Sequence, residues 1–311
     1  MQSLSQHTRL IKETALRLGF SYCGIAKAMP LSDDARRLEH WLHQGMHGKM
    51  KYMENHFDLR IDPTRLVPGA RSVITMLLNY FPSERQSPAS PKIASYAWGK
   101  DYHYVIKSKL HELLAELQDK IGDITGRGFV DSAPVLERSW ALRSGIGWVG
   151  KNGNLITKKN GSYFFIATLI TDLLLDYDDP FAKDYCGSCT RCIDACPTDA
   201  ILPDKTIAAH QCISYYTIEL KDQLLPTEAQ GKMDGWMFGC DACQTVCPWN
   251  RFSTPGREPA FVPLPEILNL SSREWMTMTE EHFKKTFRDS PLVRPGYKGI
   301  MRNLQFVRAS D

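Results

Sequence analysis

Eight of the nine cysteines lie between positions 186 and 247, in two groups with the spacing of iron–sulfur ligands. The first group reads CGSCTRCIDACP, the C-x2-C-x2-C-x3-C-P pattern of bacterial ferredoxins, and the second reads CDACQTVCP, which repeats its last three cysteines. The candidate ligands are Cys186, Cys189, Cys192, Cys196, Cys212, Cys240, Cys243 and Cys247. This pattern predicts two 4Fe–4S clusters, and therefore an electron-transfer protein or a redox enzyme.

The ligands of the two clusters are predicted to cross over between the groups. In two-cluster ferredoxins, the cysteine before the proline ligates the cluster of the other group. One cluster would thus take Cys186, Cys189, Cys192 and Cys247, and the other Cys196, Cys212, Cys240 and Cys243. Two four-cysteine zinc sites are the alternative. Zinc needs neither a third closely spaced cysteine nor a proline after both groups, so the clusters are favoured.

A second concentration of candidate site residues lies in the segment VDSAPVLERSWALRSGIGWVGKNGN. Asp131 follows a short predicted strand, and a glycine-rich stretch follows the next helix; an acid at a strand end beside such a loop is a common way to form a site. Alternatively, Asp131 caps the helix that begins near Pro134. GIGWVG has the spacing GxGxxG, but it follows a helix and leads into a loop, which argues against a dinucleotide site.

The elements that would position these residues alternate between helix and strand. Apolar periodicity and stop signals predict helices over about 5–18, 32–45 and 103–121, and buried strands at FSYCGIA, RSVITMLLNYF and SYFFIATLIT. Such alternation predicts a layered α+β or α/β domain. We predict a catalytic domain over 1–178, a ferredoxin-like two-cluster module over 179–255 and a helical, basic segment over 256–311.

Composition is that of an ordinary globular protein, with 43% hydrophobic residues and a net charge of +3. This charge is too weak to indicate nucleic-acid binding by itself. No secretory leader and no run of about 18 apolar residues is found, so a cytoplasmic location without a membrane partner is expected. Structural disulfides are rare in that compartment, which again favours metal ligation by the cysteines.

Taken together, several long motifs resemble those of the epoxyqueuosine reductase family. They are NHFDLRIDPTRLVPGARSVI, YAWGKDYHYVI, VDSAPVLERSWALRSGIGWVGKNGNLI, QCISYYTIE and GCDACQTVCPWN, in addition to the first cysteine group. The resemblance covers roughly residues 5–305 and implies an enzyme with cobalamin and two 4Fe–4S clusters. Such an enzyme reduces epoxyqueuosine to queuosine at the wobble position of tRNA, the last step of queuosine synthesis. The chain resembles a short form without the C-terminal helical repeats of other members.

The resemblance also implies roles for individual residues. Asp131 aligns with the proton donor of the family, and its pKa is expected to be raised by burial beside the corrin. The resemblance implies that the N-terminal domain holds the cobalamin. Residues of the same motifs are therefore candidates for contacts with it. They are Arg60, Tyr96, Trp98, His103, Asp131, Lys151, Asn152 and Asn154.

The expected partners are tRNA carrying epoxyqueuosine and an unidentified electron donor, and the chain is expected to be a monomer. Residues 283–308 contain seven basic residues and one acid, with aromatic residues between them. Basic side chains neutralise phosphates and aromatic rings stack on unpaired bases, although a solvated helix face is the alternative. The candidate tRNA contacts are Lys284, Lys285, Arg294, Lys298 and Arg302.

Two other functions fit part of this pattern. A corrinoid reductive dehalogenase would also combine cobalamin with two clusters, but those enzymes carry an export leader. A non-catalytic electron carrier, or a subunit of a larger redox complex, would need the clusters alone. The VDSAPVLER segment favours the tRNA enzyme over the dehalogenase, and bound corrin in the purified protein would argue against the carrier.

Overall fold

The computed structural model describes residues 4–308. A four-stranded antiparallel sheet lies at its centre, with the strand order β1-β2-β7-β4. The strands of this sheet are β1 (Tyr22–Lys27), β2 (Ser72–Asn79), β4 (Gly126–Phe129) and β7 (Phe164–Thr171). Two small sheets pair β3 (Lys92–Ile93) with β8 (Trp236–Phe238), and β5 (Trp148–Val149) with β6 (Leu155–Ile156).

The helices fall into three stretches of the chain. Before the cysteine groups lie α1 (Leu4–Arg17), α2 (Ser32–His43), α3 (Phe57–Ile61), α4 (Pro63–Leu66), α5 (Tyr102–Ile121) and α6 (Glu137–Arg143). Two short helices, α7 (Arg191–Asp194) and α8 (Ala242–Thr245), each lie within a cysteine group. After them follow α9 (Pro265–Asn269), α10 (Ser272–Thr277), α11 (Glu280–Thr286) and α12 (Gly296–Arg308).

Strand β2 shows why the N-terminal part forms layers. Its side chains alternate between the two faces of the sheet, and both faces are covered. Ile74 and Met76 pack with helices α1 and α5. Leu77 packs on the opposite face with Ala141 of α6. The layered architecture predicted from the sequence is confirmed, and the antiparallel pairing places it on the α+β side of that prediction.

The C-terminal helices share a hydrophobic core with the small β3–β8 sheet. Trp275, Phe283 and Phe287 are fully buried there, together with Phe238 of β8. Within the predicted helical segment 256–311, residues 265–286 form three short helices. Capping side chains begin new helices: Ser271 accepts the N–H of Glu274 in a capping box, and Thr279 accepts the N–H of His282.

Of the helices within residues 4–308, none combines the length and the apolar character needed to cross a membrane.

Candidate active site and cluster sites

The structure brings the eight cysteines together as two sets of four. Cys186, Cys189, Cys192 and Cys247 line one cavity, and Cys196, Cys212, Cys240 and Cys243 line another of about 250 Å³. Each set therefore draws on both cysteine groups, as the crossover requires. In the described part of the chain, no three His, Cys, Asp or Glu side chains gather closely enough for a lone metal ion. A cubane instead distributes its four thiolates over four iron atoms.

Burial and mutual repulsion raise the pKa of thiols in both cysteine groups, Cys192 and Cys243 among them. Burial first, and then the neighbouring charges of Cys186, Cys247 and Cys189, raise the pKa of Cys192. Burial and the Cys240 thiolate likewise raise the pKa of Cys243. Cluster assembly must therefore release protons, because iron binds the thiolate. The ninth cysteine, Cys23, packs beside the main core, and burial raises its pKa to about 12.

Asp131 lies at the centre of a network of charged and polar side chains. Tyr102 donates a short hydrogen bond from its hydroxyl to Asp131 Oδ2. His103 Nε2 lies 3.6 Å from the same oxygen, and Arg294 Nη1 lies 3.8 Å from it. The other imidazole nitrogen of His103, Nδ1, is 2.7 Å from Asp101 Oδ1. Half of the Asp131 side chain, 49%, is exposed, so the carboxylate faces an open site.

The pKa expected for Asp131 is wrong in direction. Burial works to raise it, but the close contact with His103, the hydrogen bond from Tyr102 and the charges of His103 and Arg294 outweigh burial, so the pKa lies below its usual value. Burial works to lower the pKa of His103, yet its hydrogen bond to Asp101 and its ion pair with Asp131 raise it to about 9. At neutral pH the proton of this pair is therefore held by the imidazole.

Several members of this network were not identified from the sequence. Tyr102 directly precedes His103 in the KDYHYV motif. Glu219 ends a short π-helical turn, Tyr215–Glu219, and its Oε1 lies 2.9 Å from Arg294 Nη2. Glu137 Oε1 accepts the backbone N–H of Asp131 at 2.7 Å. Each of these residues is part of a quoted motif, but only the fold shows which side chains meet.

The candidate cobalamin contacts separate into two groups. Tyr96 lies beside Tyr102, with ring centroids 6.1 Å apart, and also lines the cavity of Cys196, Cys212, Cys240 and Cys243. Asn152 and Asn154 line the same cavity. His103 and Asp131 belong to the network described above. Tyr96 thus links the Asp131 network to the cavity of the second cysteine set, which Asn152 and Asn154 also line.

The other three candidates make structural contacts. Trp98 is buried among the C-terminal helices, and its indole N–H donates to the Ile93 carbonyl. Lys151 Nζ donates to the carbonyls of Gly187 and Cys189, so it supports the loop of the first cysteine group. Arg60 is buried and donates to the Tyr52 carbonyl. Their cobalamin contacts stay predictions, and Arg60 lies behind Tyr52.

The glycine-rich stretch serves backbone packing. A Cβ at Gly147 would lie 2.1 Å from the Ile156 carbonyl oxygen, so only glycine allows β5 to approach β6. Gly153 has a φ of +74°, a conformation that favours glycine. The GxGxxG spacing thus reflects a close turn, in keeping with its prediction as something other than a dinucleotide site.

The candidate tRNA contacts also divide. Lys284, Lys285 and Lys298 are exposed. Arg302 instead donates to the carbonyls of Tyr216, Leu220 and Asp222, so it joins α12 to the rest of the protein. Arg294 belongs to the Asp131 network. Phe283 and Phe287 are buried in the core and cannot stack on bases as the sequence suggested.

Comparison with known proteins gives a consistent result. A family model described as epoxyqueuosine reductase QueG, DUF1730 matches residues 60–132, and one described as a 4Fe-4S double cluster binding domain matches residues 185–250. The chain is 54% identical to an epoxyqueuosine reductase of Cyclobacterium marinum over 310 residues, which cover 99% of both chains.

Solved structures agree with the sequence relatives. An epoxyqueuosine reductase with a tRNA-Tyr epoxyqueuosine-modified stem loop superposes with a TM-score of 0.88 at 31% identity, covering 98% of this chain and 81% of that one. A Bacillus subtilis epoxyqueuosine reductase, with its catalytic loop swung out of the active site, gives a TM-score of 0.89 at 30% identity, covering 98% and 82%.

Proposed function

The chain belongs to the epoxyqueuosine reductase family, and we propose that the Asp131 network is the site at which it reduces epoxyqueuosine in tRNA to queuosine. The observation that carries the proposal is the position of this network beside the cavity of Cys196, Cys212, Cys240 and Cys243. Conversion of the epoxide to an alkene consumes two electrons and two protons and releases water. The site therefore needs an electron source and a proton source side by side.

Asp131 and His103 supply the proton source. Asp131 delivers a proton to the departing oxygen as a general acid. Because its pKa is lowered, that proton comes from the imidazolium of His103, whose Nε2 lies 3.6 Å from Asp131 Oδ2. Asp101 accepts a hydrogen bond from the other ring nitrogen and keeps the imidazole oriented and charged.

The region beside Tyr96 suits a large polar cofactor. Asn152 Nδ2 donates to the Cys243 carbonyl at 3.3 Å, and its Oδ1 accepts the Asn154 N–H, which orders the wall of the cavity. Arg60 Nε is buried without a hydrogen-bond partner among the described residues, close behind Tyr52. We assign cobalamin to the side of Tyr96 that faces the Asp131 network, outside the 250 Å³ cavity that the cluster of Cys196, Cys212, Cys240 and Cys243 would fill. When bound, it would supply the electrons for opening the epoxide.

The two cysteine sets define an order for the clusters. Tyr96 lines the cavity of Cys196, Cys212, Cys240 and Cys243 and also contacts Tyr102 of the Asp131 network. The cluster of this set would therefore be the one nearer the Asp131 network, the proximal cluster. The cavity of the other set is lined by Tyr185 and Trp249, and its loop carries the exposed Gly187 and Ser188. An electron donor, still unidentified, would therefore reduce this distal cluster first.

The exposed lysines of α11 and α12 form a surface continuous with the active site. Lys298 follows Arg294, which contacts the Asp131 network, by four positions. The positive charge of Lys298 reaches Glu280 at the start of α11. Lys284 lies on that helix and pairs with Glu280. We assign the tRNA backbone to this surface, because a bound anticodon must extend outward from the reacting nucleoside.

The function is tested by turnover of epoxyqueuosine tRNA with anaerobically reconstituted protein and cobalamin. Asp131→Asn preserves size and hydrogen bonding but removes the acid, so turnover should fall by about 10²–10⁴-fold, the usual contribution of general-acid catalysis. Cluster content and the visible spectrum of bound cobalamin should persist. Near wild-type turnover with full cobalamin occupancy would remove Asp131 from the mechanism, and a protein that binds no corrin would instead be an electron carrier.

A further inference from the structure

We propose that Glu137 is a positioning residue that holds the Asp131 loop, residues 130–136, in its catalytic place by accepting the backbone N–H of Asp131. The inference rests on the role proposed above for Asp131 and concerns how its carboxylate is kept in the network. Glu137 itself is not assigned a contact with the substrate or with the reacting atoms.

The Asp131 loop has a conformation that its own residues do not strongly favour. Asp131 has a φ of +53°, in the left-handed region that side chains other than glycine rarely adopt. Ser132 donates its N–H to the Val130 carbonyl at 2.5 Å, and Val135 donates to the Ala133 carbonyl at 2.8 Å. Two such narrow turns in six residues require support from outside the loop.

Glu137 provides this support from a rigid base. It is the first residue of α6, and Trp140, one turn further along, is only 1% exposed and packs in a hydrophobic cluster beneath the sheet. From this helix, Glu137 Oε1 reaches back to the Asp131 nitrogen at 2.7 Å. The hydrogen bond thus joins the strained residue to a helix that cannot easily move.

The electrostatic surroundings fit an uncharged acceptor. The charged groups around Glu137 are Asp131, Arg138 and His103. Burial first, and then the negative charge of Asp131, raise the pKa of Glu137 to about 8, although its hydrogen bond to the Asp131 N–H works in the opposite direction. A neutral carboxyl can accept the N–H through its carbonyl oxygen without placing a second negative charge beside Asp131. A glutamine side chain offers the same acceptor.

The test compares Glu137→Ala with Glu137→Gln in the cluster-loaded, cobalamin-bound enzyme. In Glu137→Ala, kcat should fall about tenfold while KM for tRNA stays constant, and amide exchange in residues 130–136 should accelerate by about tenfold, as loss of one well-placed hydrogen bond implies. Glu137→Gln should remain within about twofold of the wild type in both measurements. Ser139→Ala is the matched control, because it removes a hydrogen bond between the same helix and Asp34; its kcat and its exchange should match the wild type.

Two results would overturn the inference. Wild-type kcat and wild-type exchange in Glu137→Ala would show that the hydrogen bond does not hold the loop. Equal losses in the Ala and Gln variants, with a lower melting temperature in both, would show that Glu137 serves folding alone. Asp131→Asn, assayed in parallel, separates this failure from that of the proposed function: if that variant stays fully active, the acid role is wrong, and the exchange experiment still decides the role of Glu137.

Discussion

Replacing His103 by glutamine tests the electrostatic basis of the active site directly. Contacts with Asp101 and Asp131 raise the pKa of His103 from 6.5 to about 9, so the folded protein binds this proton more tightly than the unfolded chain. A rise of this size corresponds to about 3 kcal/mol of stabilisation. Since the Asp131 side chain is 49% exposed and therefore screened by solvent, about 2 kcal/mol is the better expectation.

The sign of the pH dependence follows from the raised pKa. The stabilisation by His103 is fully present below pH 6.5, the unfolded value, and is lost as the pH rises through about 9. Wild-type and His103→Gln proteins should therefore differ most at pH 6 and become similar above pH 9.5. For a chain of this length, about 2 kcal/mol corresponds to a difference in melting temperature of roughly 4 °C.

The assay is thermal unfolding of cluster-loaded protein under anaerobic conditions, at pH 6, 7.5 and 9.5. The difference between the two proteins isolates His103 from Glu137, which also titrates in this range and is present in both. A difference that stays constant with pH would mean that His103 contributes packing only. A difference that grows with pH would contradict the assignment of the proton to the imidazole. Turnover of His103→Gln should also fall, because Asp131 loses its proton source.

Two further predictions concern the clusters and the RNA surface. Cys196→Ala should damage the spectrum of the cluster held by the second cysteine group and leave that of its own group; the reverse would disprove the crossover. Intact protein should contain about eight iron and eight sulfide ions. Charge reversal of Lys284 and Lys298 should weaken tRNA binding. It should also reduce, by about two, the slope of the logarithm of the tRNA binding constant against the logarithm of the salt concentration. Reversal of the exposed Lys232 and Lys159, as a control, should have neither effect. If both pairs of reversals had equal effects, the lysines of α11 and α12 would be ordinary solvent-exposed residues without a specific role in tRNA binding.

The elements of the fold could be predicted because their signals are local. Apolar runs and glycine stops placed β2 at 71–81 and α5 at 103–121, against 72–79 and 102–121 in the structure. The cysteine sets could also be predicted, because ligand spacing encodes the crossover. What the sequence could not show is the protonation of Asp131. That property depends on Tyr102, His103 and Arg294 together, and Arg294 lies more than 160 positions away along the chain.

The same limit explains the errors in the C-terminal segment. Its basic and aromatic residues look alike in sequence, but the fold divides them by the direction in which each side chain points. Phe283 and Phe287 point inward and form the core with Trp275. Arg302 points inward as well and satisfies backbone carbonyls that helix ends and turns leave free. A count of charges therefore overestimates the exposed basic surface of this segment.

Arg294 connects the Asp131 network with the C-terminal surface to which we assign tRNA. The Arg294 guanidinium lies 2.9 Å from the Glu219 carboxylate and 3.8 Å from that of Asp131. Negative and positive charges therefore alternate along the series Asp101, His103, Asp131, Arg294 and Glu219. Each charge in the site has an opposite neighbour, which is how a concave site can hold five charged groups. Lys298 follows four positions later, in α12, and faces solvent. The segment to which we assign the tRNA contacts thus also supplies a charge that keeps Asp131 ionised, and it belongs to the active site proposed above.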